Sequence, residues 1–406
     1  MDFFNVMTLD NAKKQVMSRL NYLNKSQNIS LQKSLNKILF IDIVATENLP
    51  SFCKSTVDGY AVRAEDTYGA TESSPTLLKL LGSVVMGKPA SDVVSSGKTQ
   101  YVPTGGMLPS GADSAIMIEN TDLFNDNVAI LKSVHLRENT LNIGEDVAKG
   151  SIVANKGDKI TPLKIGVLAG LGVCNVTVYN DISVYIISTG DELIDISSPA
   201  EDGKVRDINS FVLESLAKNS GFRVCGISRV LDDFDALVSA ILNATKVADI
   251  VLVSGGSSVG EKDFTYRAIK LFNNDVFIKG ISLKPGKPTI VGSANGKLVF
   301  GLPGHPMASA IVYKMLVERA IYESRGQPFL PKFFAETSVN FPSSSGRTTC
   351  QPVKCAFENG KVLVVPLFGK SGIISSLDEA DGIVVIPDNV EGINKNQIVA
   401  VFGIID

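Results

Sequence analysis

At 406 residues the chain is too long for one hydrophobic core, so two to four domains are expected, and 44% hydrophobic with 20% charged residues is a globular composition. A net charge of −3 and a pI near 5.6 exclude a general nucleic-acid binder, which needs a clustered basic surplus, and confine anion binding to local sites. Only two histidines, His135 and His305, exclude a histidine-rich zinc centre, so any metal is a hard ion held by oxygen. Five cysteines without a C-x-x-C pair suit a reducing compartment better than a disulfide framework. With no apolar leader and no run long enough to span a bilayer, the expectation is a cytoplasmic protein without membrane or nucleic-acid partners.

Residues 8–24 read as an amphipathic helix, with Leu9, Ala12, Val16, Met17 and Leu20 on one side and lysines on the other. Within an N-terminal region of residues 1–175, short β-rich runs separated by turn residues predict an inserted, mostly β unit at about residues 50–141. There Asp58-Gly59 between β-formers reads as a hairpin turn, and Thr104-Gly105-Gly106 and Gly144-Glu145-Asp146 as further turns. An apolar segment over residues 160–178 continues as helix and then strand. From Ser183 strands and helices alternate: Asn209 caps a helix ended by Gly221, Asp233 caps the next, a strand covers residues 276–283, and Pro306 opens a helix to about Ser324. This rhythm predicts an α/β central domain over residues 176–326, with a mainly parallel sheet and helices on both faces. Residues 327–406 read as a small C-terminal β-barrel or sandwich, in which Arg347 and Ser371 occupy glycine-flanked loops.

Three glycine-rich turns of the central domain follow strands and so converge beyond the carboxyl ends of the sheet, where open α/β sheets bind ligands. The first, Ser254-Gly255-Gly256-Ser257-Ser258-Val259-Gly260, leads into a helix from Asp263, and unpaired amides at such a helix start favour a phosphorylated ligand. It also matches the G-x-S-x-G nucleophile elbow, so a serine hydrolase using Ser258, with Asp275 and His305, is the enzymatic alternative. Neither a dinucleotide fingerprint nor a P-loop sequence occurs. The second turn, Lys284-Pro285-Gly286-Lys287-Pro288, has the proline and glycine of a type II turn, which leaves its two lysines unexplained; presented together they form a cationic clamp for an oxyanion. The third, Leu302-Pro303-Gly304-His305-Pro306, opens a helix with Ser309 in its first turn. Asp263 fits a helix cap and a ligand contact equally, and Glu192 of Thr189-Gly190-Asp191-Glu192-Leu193 follows its strand at the same edge. Carboxylates beside anion-binding loops repel the ligand unless a cation lies between them, which predicts Mg²⁺ bridging carboxylate and phosphate.

Taken together these residues resemble the molybdopterin molybdenumtransferase family, MoeA in bacteria and the gephyrin E domain in animals. The likeness runs through Ser55-Thr56-Val57-Asp58-Gly59-Tyr60-Ala61-Val62-Arg63, Thr104-Gly105, Asn142-Ile143-Gly144-Glu145-Asp146 and the turns just quoted, to Ser371-Gly372-Ile373-Ile374-Ser375-Ser376-Leu377 with Ala380-Asp381-Gly382. The resemblance implies insertion of molybdenum from molybdate into adenylylated molybdopterin, with release of AMP and use of Mg²⁺. It implies a MogA-like central domain in an elongated, multidomain homodimer whose sites are shared between subunits, with other proteins of cofactor biosynthesis as candidate partners. Carried over, Gly255, Gly256, Ser257, Ser258 and Gly260 hold the phosphate end of the substrate, and Asp263 with Glu192 organises the metal. Lys284, Pro285, Ser309, Arg347 and Ser371, joined by the clamp residue Lys287, serve the oxyanion. Asp58, Thr104 and Asp146 reach the site from the other subunit, which gives the Asp58 turn a second use; Asp58, Asp146, Asp263 and Lys284 are the expected catalytic residues. Because the gephyrin branch also anchors receptors, a non-catalytic scaffold is the other alternative. Val57 replaces a usual methionine, and His305 and Met307 stand where asparagine and valine are also common.

Overall fold

Residues 6–255, 264–272, 276–358 and 360–404 are described by the structure, a computed structural model. They fall into two units, one of Asn28–Leu35 and Ile41–Val176, the other of Met1–Gln27, Asn36–Phe40 and Thr177–Asp406. The turns called Gly256, Ser257, Ser258, Gly260 and Asp263 above, and Asp275, lie outside the described residues.

The first unit is built on a six-stranded sheet in the order Ser114–Met117, Gly59–Val62, Lys98–Val102, Thr76–Ser83, Asn127–Ile130, Thr121–Phe124. Alternation in these strands sends Tyr60, Val62, Leu78, Ile116, Val128 and Ile130 into one apolar core. The hairpin reading of Asp58-Gly59 does not hold. Lys54–Ser55 pairs with Thr140–Leu141, whereas Gly59–Val62 lies between Lys98–Val102 and Ser114–Met117. Glycine is needed at 59 for a different reason: a Cβ there would run into the backbone carbonyl of Ile116, so the two strands pack closely only without a side chain.

In the second unit the central sheet has strands β1 (Ser183–Thr189), β2 (Arg223–Val230), β3 (Ile250–Ser254), β4 (Val276–Lys279), β6 (Ile290–Ala294) and β7 (Lys297–Leu302), with β5 (Leu283–Lys284) set apart from it. The order is β2-β1-β3-β7-β6-β4; the first four run parallel and β6 is antiparallel to both neighbours. Both faces are covered, so successive residues alternate between two cores. Val184, Ile186, Ile250, Leu252 and Phe300 meet the helices Leu9–Met17, Asn209–Asn219 and the rod that starts at Pro306. Ile187, Val251, Val253 and Val299 meet Phe234–Val247 and Phe264–Leu271 on the other side. The rod is Pro306–Val312, a π-helical stretch Tyr313–Glu318 and Arg319–Ser324. Its widened turn holds a buried Lys314–Glu318 ion pair at 2.7 Å, with Ser220 donating to Glu318 at 2.7 Å.

Two expectations need amendment. Residues 276–283 are not one strand, because Gly280 at φ +89° breaks the run and sends Leu283–Lys284 away from the sheet. The strand β6, unmarked in the sequence reading, is joined to β7 by Asn295-Gly296, both at positive φ, which is the turn that matches strand twist. Beyond the rod, β8 (Phe333–Thr337), β9 (Thr348–Glu358), β10 (Lys361–Pro366), β11 (Gly382–Ile386) and β12 (Ile398–Phe402) close into a five-stranded barrel in the order β9-β10-β8-β12-β11-β9. Leu283 and Lys284 pair in parallel with Thr348 and Thr349 of β9, so β5 joins the barrel.

Candidate active site

That pairing brings the lysine turn to Arg347. Ser282 accepts from the Thr348 amide at 2.9 Å and its hydroxyl donates to the Gly346 carbonyl at 2.9 Å, which fixes the loop on either side of Arg347. Gly286 sits at φ +131°, and a Cβ there would lie 2.6 Å from Val312. The turn is held further by the Lys287 carbonyl, which accepts from Ile281 at 3.0 Å and Thr289 at 2.9 Å, and by Thr289 Oγ1 donating to Gly286 at 2.7 Å. The result is a cavity of about 450 Å³ whose lining includes the cations Lys284, Lys287 and Arg347, with His305 and Ser371, beside Pro285. No carboxylate lines it among the described residues, and Lys284 and Arg347 have no ion-pair partner there. Lys284 and Arg347 are exposed, and like charges gathered at one cavity without an acidic neighbour favour an anion with several acceptor oxygens. Cys350 also lines the cavity, but burial pushes its thiol up to about 12, so it stays protonated.

The neighbouring place is the carboxyl end of β1, β3 and β7. Gly255 follows β3 at φ +104°, and a Cβ on it would strike the Thr189 carbonyl, so the turn must be glycine to close over β1. Here Asn209 is not the helix cap that its position suggested. The capping bond comes from Asp207, whose Oδ1 accepts from the Ser210 amide at 3.1 Å. The Asn209 amide instead donates to Ser254 Oγ at 2.7 Å and to the Gly304 carbonyl at 2.8 Å, tying the ends of β3 and β7 together. Its Oδ1 and the hydroxyl of Ser309 are buried with no partner among the described residues. Buried polar atoms are nearly always paired, so these two are the candidates at this end of the sheet to meet a ligand. Asn is a common cap residue, so the local sequence suggests a cap; only the approach of Gly304, far along the chain, reveals its other task.

The turn Pro303–Pro306 borders both places. Gly304 accepts from Asn209 on one side, and the next residue, His305, lines the cationic cavity on the other. Glu192 is exposed at the end of β1 and folds back so that its carboxylate oxygens would lie 2.7 and 2.8 Å from a Cβ on Gly190. Asp191 and Asp232 stand beside it: Asp191 accepts from the Asp232 amide at 3.0 Å, and Thr189 donates to Asp232 at 2.9 Å. Among the described residues no three ligating side chains converge as a metal cluster. In the first unit, Asp58 accepts from the Thr104 amide at 2.8 Å, which brings those two predicted residues together. Asp146 is exposed and lines a separate groove of that unit with Glu145 and Lys164.

Comparison with known proteins agrees along the chain. Residues 7–172 match the model of the MoeA N-terminal region (domain I and II), residues 185–323 that of the "Probable molybdopterin binding domain", and residues 335–403 that of the MoeA C-terminal region (domain IV). A Methanocaldococcus jannaschii protein named for molybdopterin biosynthesis is 37% identical over 98% of each chain. A molybdopterin molybdenumtransferase of Staphylococcus aureus is 32% identical over 91% of this chain and 89% of its own. The crystal structure of a Pyrococcus horikoshii MoeA protein for molybdopterin biosynthesis superposes with a TM-score of 0.78 at 32% identity, covering 98% of this chain and 99% of that one.

Proposed function

The chain belongs to the MoeA family and is an enzyme of molybdenum cofactor biosynthesis of the molybdopterin molybdenumtransferase type, and from that premise we propose that it transfers molybdenum from molybdate to adenylylated molybdopterin, releasing AMP. The observation that supports this reading is the shared turn Pro303–Pro306, which borders both the cationic cavity and the carboxyl end of the sheet. Two negatively charged reactants need two neighbouring sets of donors.

In the proposal Lys284, Lys287, Arg347 and Ser371 bind molybdate, a dianion suited to lysine, guanidinium and hydroxyl donors. Gly255 and Asn209 hold the phosphate end of the pterin substrate, together with the serine-rich turn that follows Gly255; Ser309, which the resemblance assigns to the oxyanion, joins them in this proposal because its hydroxyl, like Asn209 Oδ1, is buried and unpaired among the described residues. A molybdate or water oxygen attacks the AMP phosphorus in line and departs as part of AMP while the bond to the pterin phosphate oxygen breaks, and Lys284 stabilises the charge that develops on that leaving oxygen. Exposed carboxylates at the end of β1 fit a divalent cation held by one or two protein oxygens and completed by substrate, which is how Mg²⁺ is usually bound. Glu192, with Asp263, would hold it, and the ion would neutralise charge on the phosphates. Asp58, Thr104 and Asp146 are proposed to act in the site of a partner subunit, in a cytoplasmic homodimer.

The test is direct. Purified protein with adenylylated molybdopterin, molybdate and Mg²⁺ should release AMP, and should do so only when molybdate is present. Molybdate-independent hydrolysis, or labelling of Ser258 by a fluorophosphonate, would turn the reading toward the serine hydrolase.

A further inference from the structure

We infer that His305 is itself a binding residue for the oxyanion, held in place by Ser371, so that the anion is bound together with a proton. This rests on the oxyanion reading of the cavity above. His305 occupies the cap position of the helix Pro306–Val312, yet its side chain makes no capping bond, so helix capping does not explain it. Its ring turns to the cavity, with Nδ1 2.7 Å from Ser371 Oγ. The opposite ring nitrogen, Nε2, has no protein partner among the described residues. The titratable and charged groups that line the same cavity are Lys284 at the end of β5, Lys287 from the turn after it, and Arg347 and Cys350 from the start of β9, while Ser371 comes from the loop before β11. Among the described residues none of them is an acid.

A neutral ring leaves one donor for the ligand in either tautomer: Nε2–H when Ser371 donates to Nδ1, or the Ser371 hydroxyl when Nδ1–H donates to it and Nε2 carries no hydrogen. A second ring proton gives both. Nδ1–H now donates to Ser371 Oγ, the Ser371 hydroxyl is released toward the anion, and Nε2–H still donates. One proton therefore adds a charge and a donor, and a dianion beside the ring favours that form. The protonated state binds more tightly, so affinity is greatest at low pH and falls as pH rises through the histidine range, by at most about tenfold per pH unit for one proton. Asparagine, which can donate without titrating, should preserve binding and remove the pH dependence.

The experiment is calorimetric titration of the full chain with sodium molybdate at about pH 6 to about pH 8, in two buffers of different ionisation enthalpy. The wild type should take up a fraction of a proton per anion bound and weaken several-fold over that range. His305→Asn should bind with no proton uptake and a flat profile, and Ser371→Ala should bind more weakly at every pH. A wild-type profile retained by His305→Asn overturns the role of His305 while leaving the oxyanion cavity intact. Absence of molybdate binding by the folded wild type, checked by thermal unfolding, overturns the cavity reading and this inference with it.

Discussion

The two ends of the central sheet are finished in opposite ways. At the amino end Asp249 accepts from the Ser183 amide at 3.0 Å, the Ser183 hydroxyl at 2.6 Å and Lys297 at 3.2 Å. The Tyr22 hydroxyl donates to the Asp249 carbonyl at 2.9 Å and accepts from the Leu298 amide at 3.2 Å. At the carboxyl end Asn209 Oδ1 and Ser309 Oγ are orphaned, and Lys284 and Arg347 have no acidic partner among the described residues. An unmet buried polar group costs about 1–3 kcal/mol. The same fold therefore spends its polar groups on stability at one end and holds them open for a ligand at the other.

The comparison breaks if substitutions at the two ends have the same consequence. Lys284→Ala and Arg347→Ala should each lower molybdate-dependent AMP release by about a hundredfold or more, from loss of an aimed cation, without lowering the thermal midpoint. A large fall in that midpoint would mean that these residues stabilise the barrel junction instead. At the other end, Asp249→Ala should cost roughly 1–3 kcal/mol in urea unfolding, because it strands donors of Ser183 and Lys297 on two strands, β1 and β7. Its activity per folded molecule should be unchanged. Burial alone pushes the Asp249 carboxyl up, but the Ser183 bonds and Lys297 outweigh it and hold the carboxyl below the usual aspartate range. A depressed carboxyl contributes stability above the unfolded value of about 3.9 and loses it as pH falls through the folded value. The gap between wild type and Asp249→Ala should thus close on acidification below about pH 4. Ser309→Ala sharpens the contrast at smaller scale: it removes an orphan, so stability should stay level or rise by up to about 1 kcal/mol while AMP release drops several-fold.

Which features could be seen in the sequence follows from how far each cause lies along the chain. The Asp233 cap is local, and its Oδ1 accepts from the Ala236 amide at 2.7 Å as the pattern predicts. Gly221 ends its helix at φ +71° for an equally local reason. The lysine turn announced itself because proline and glycine do not explain its flanking charges. Arg347 and Ser371 had no such mark: they matter only because β5 leaves the sheet to pair with β9, a contact across more than sixty residues that no window of sequence contains. Gly59 misled for the same reason, since the carbonyl it accommodates belongs to Ile116 on a neighbouring strand rather than to a turn. The Asn295-Gly296 signal, by contrast, is local, and the β6–β7 hairpin it makes is legible in the sequence.

Cys350 is the case in which position and chemistry pull apart, and it carries the smallest expected effect. It lines the cavity with the cations, and a thiolate there would compete for molybdenum as a soft ligand. Yet it is 2% exposed and packed in the apolar core shared by the sheet and the rod, and burial outweighs the favourable charge of Arg319 to keep the thiol up at about 12. At neutral pH essentially no thiolate forms, so the side chain acts as a small apolar wall. Cys350→Ala should change molybdate affinity by less than about twofold, the cost appearing as a modest stability loss from the small cavity it leaves. Iodoacetamide should modify exposed Cys174 and spare Cys350 in the folded protein, as read by peptide mass spectrometry. Protection of Cys174 together with rapid labelling of Cys350 would show a reactive thiol in the cavity and overturn its assignment as an inert apolar wall.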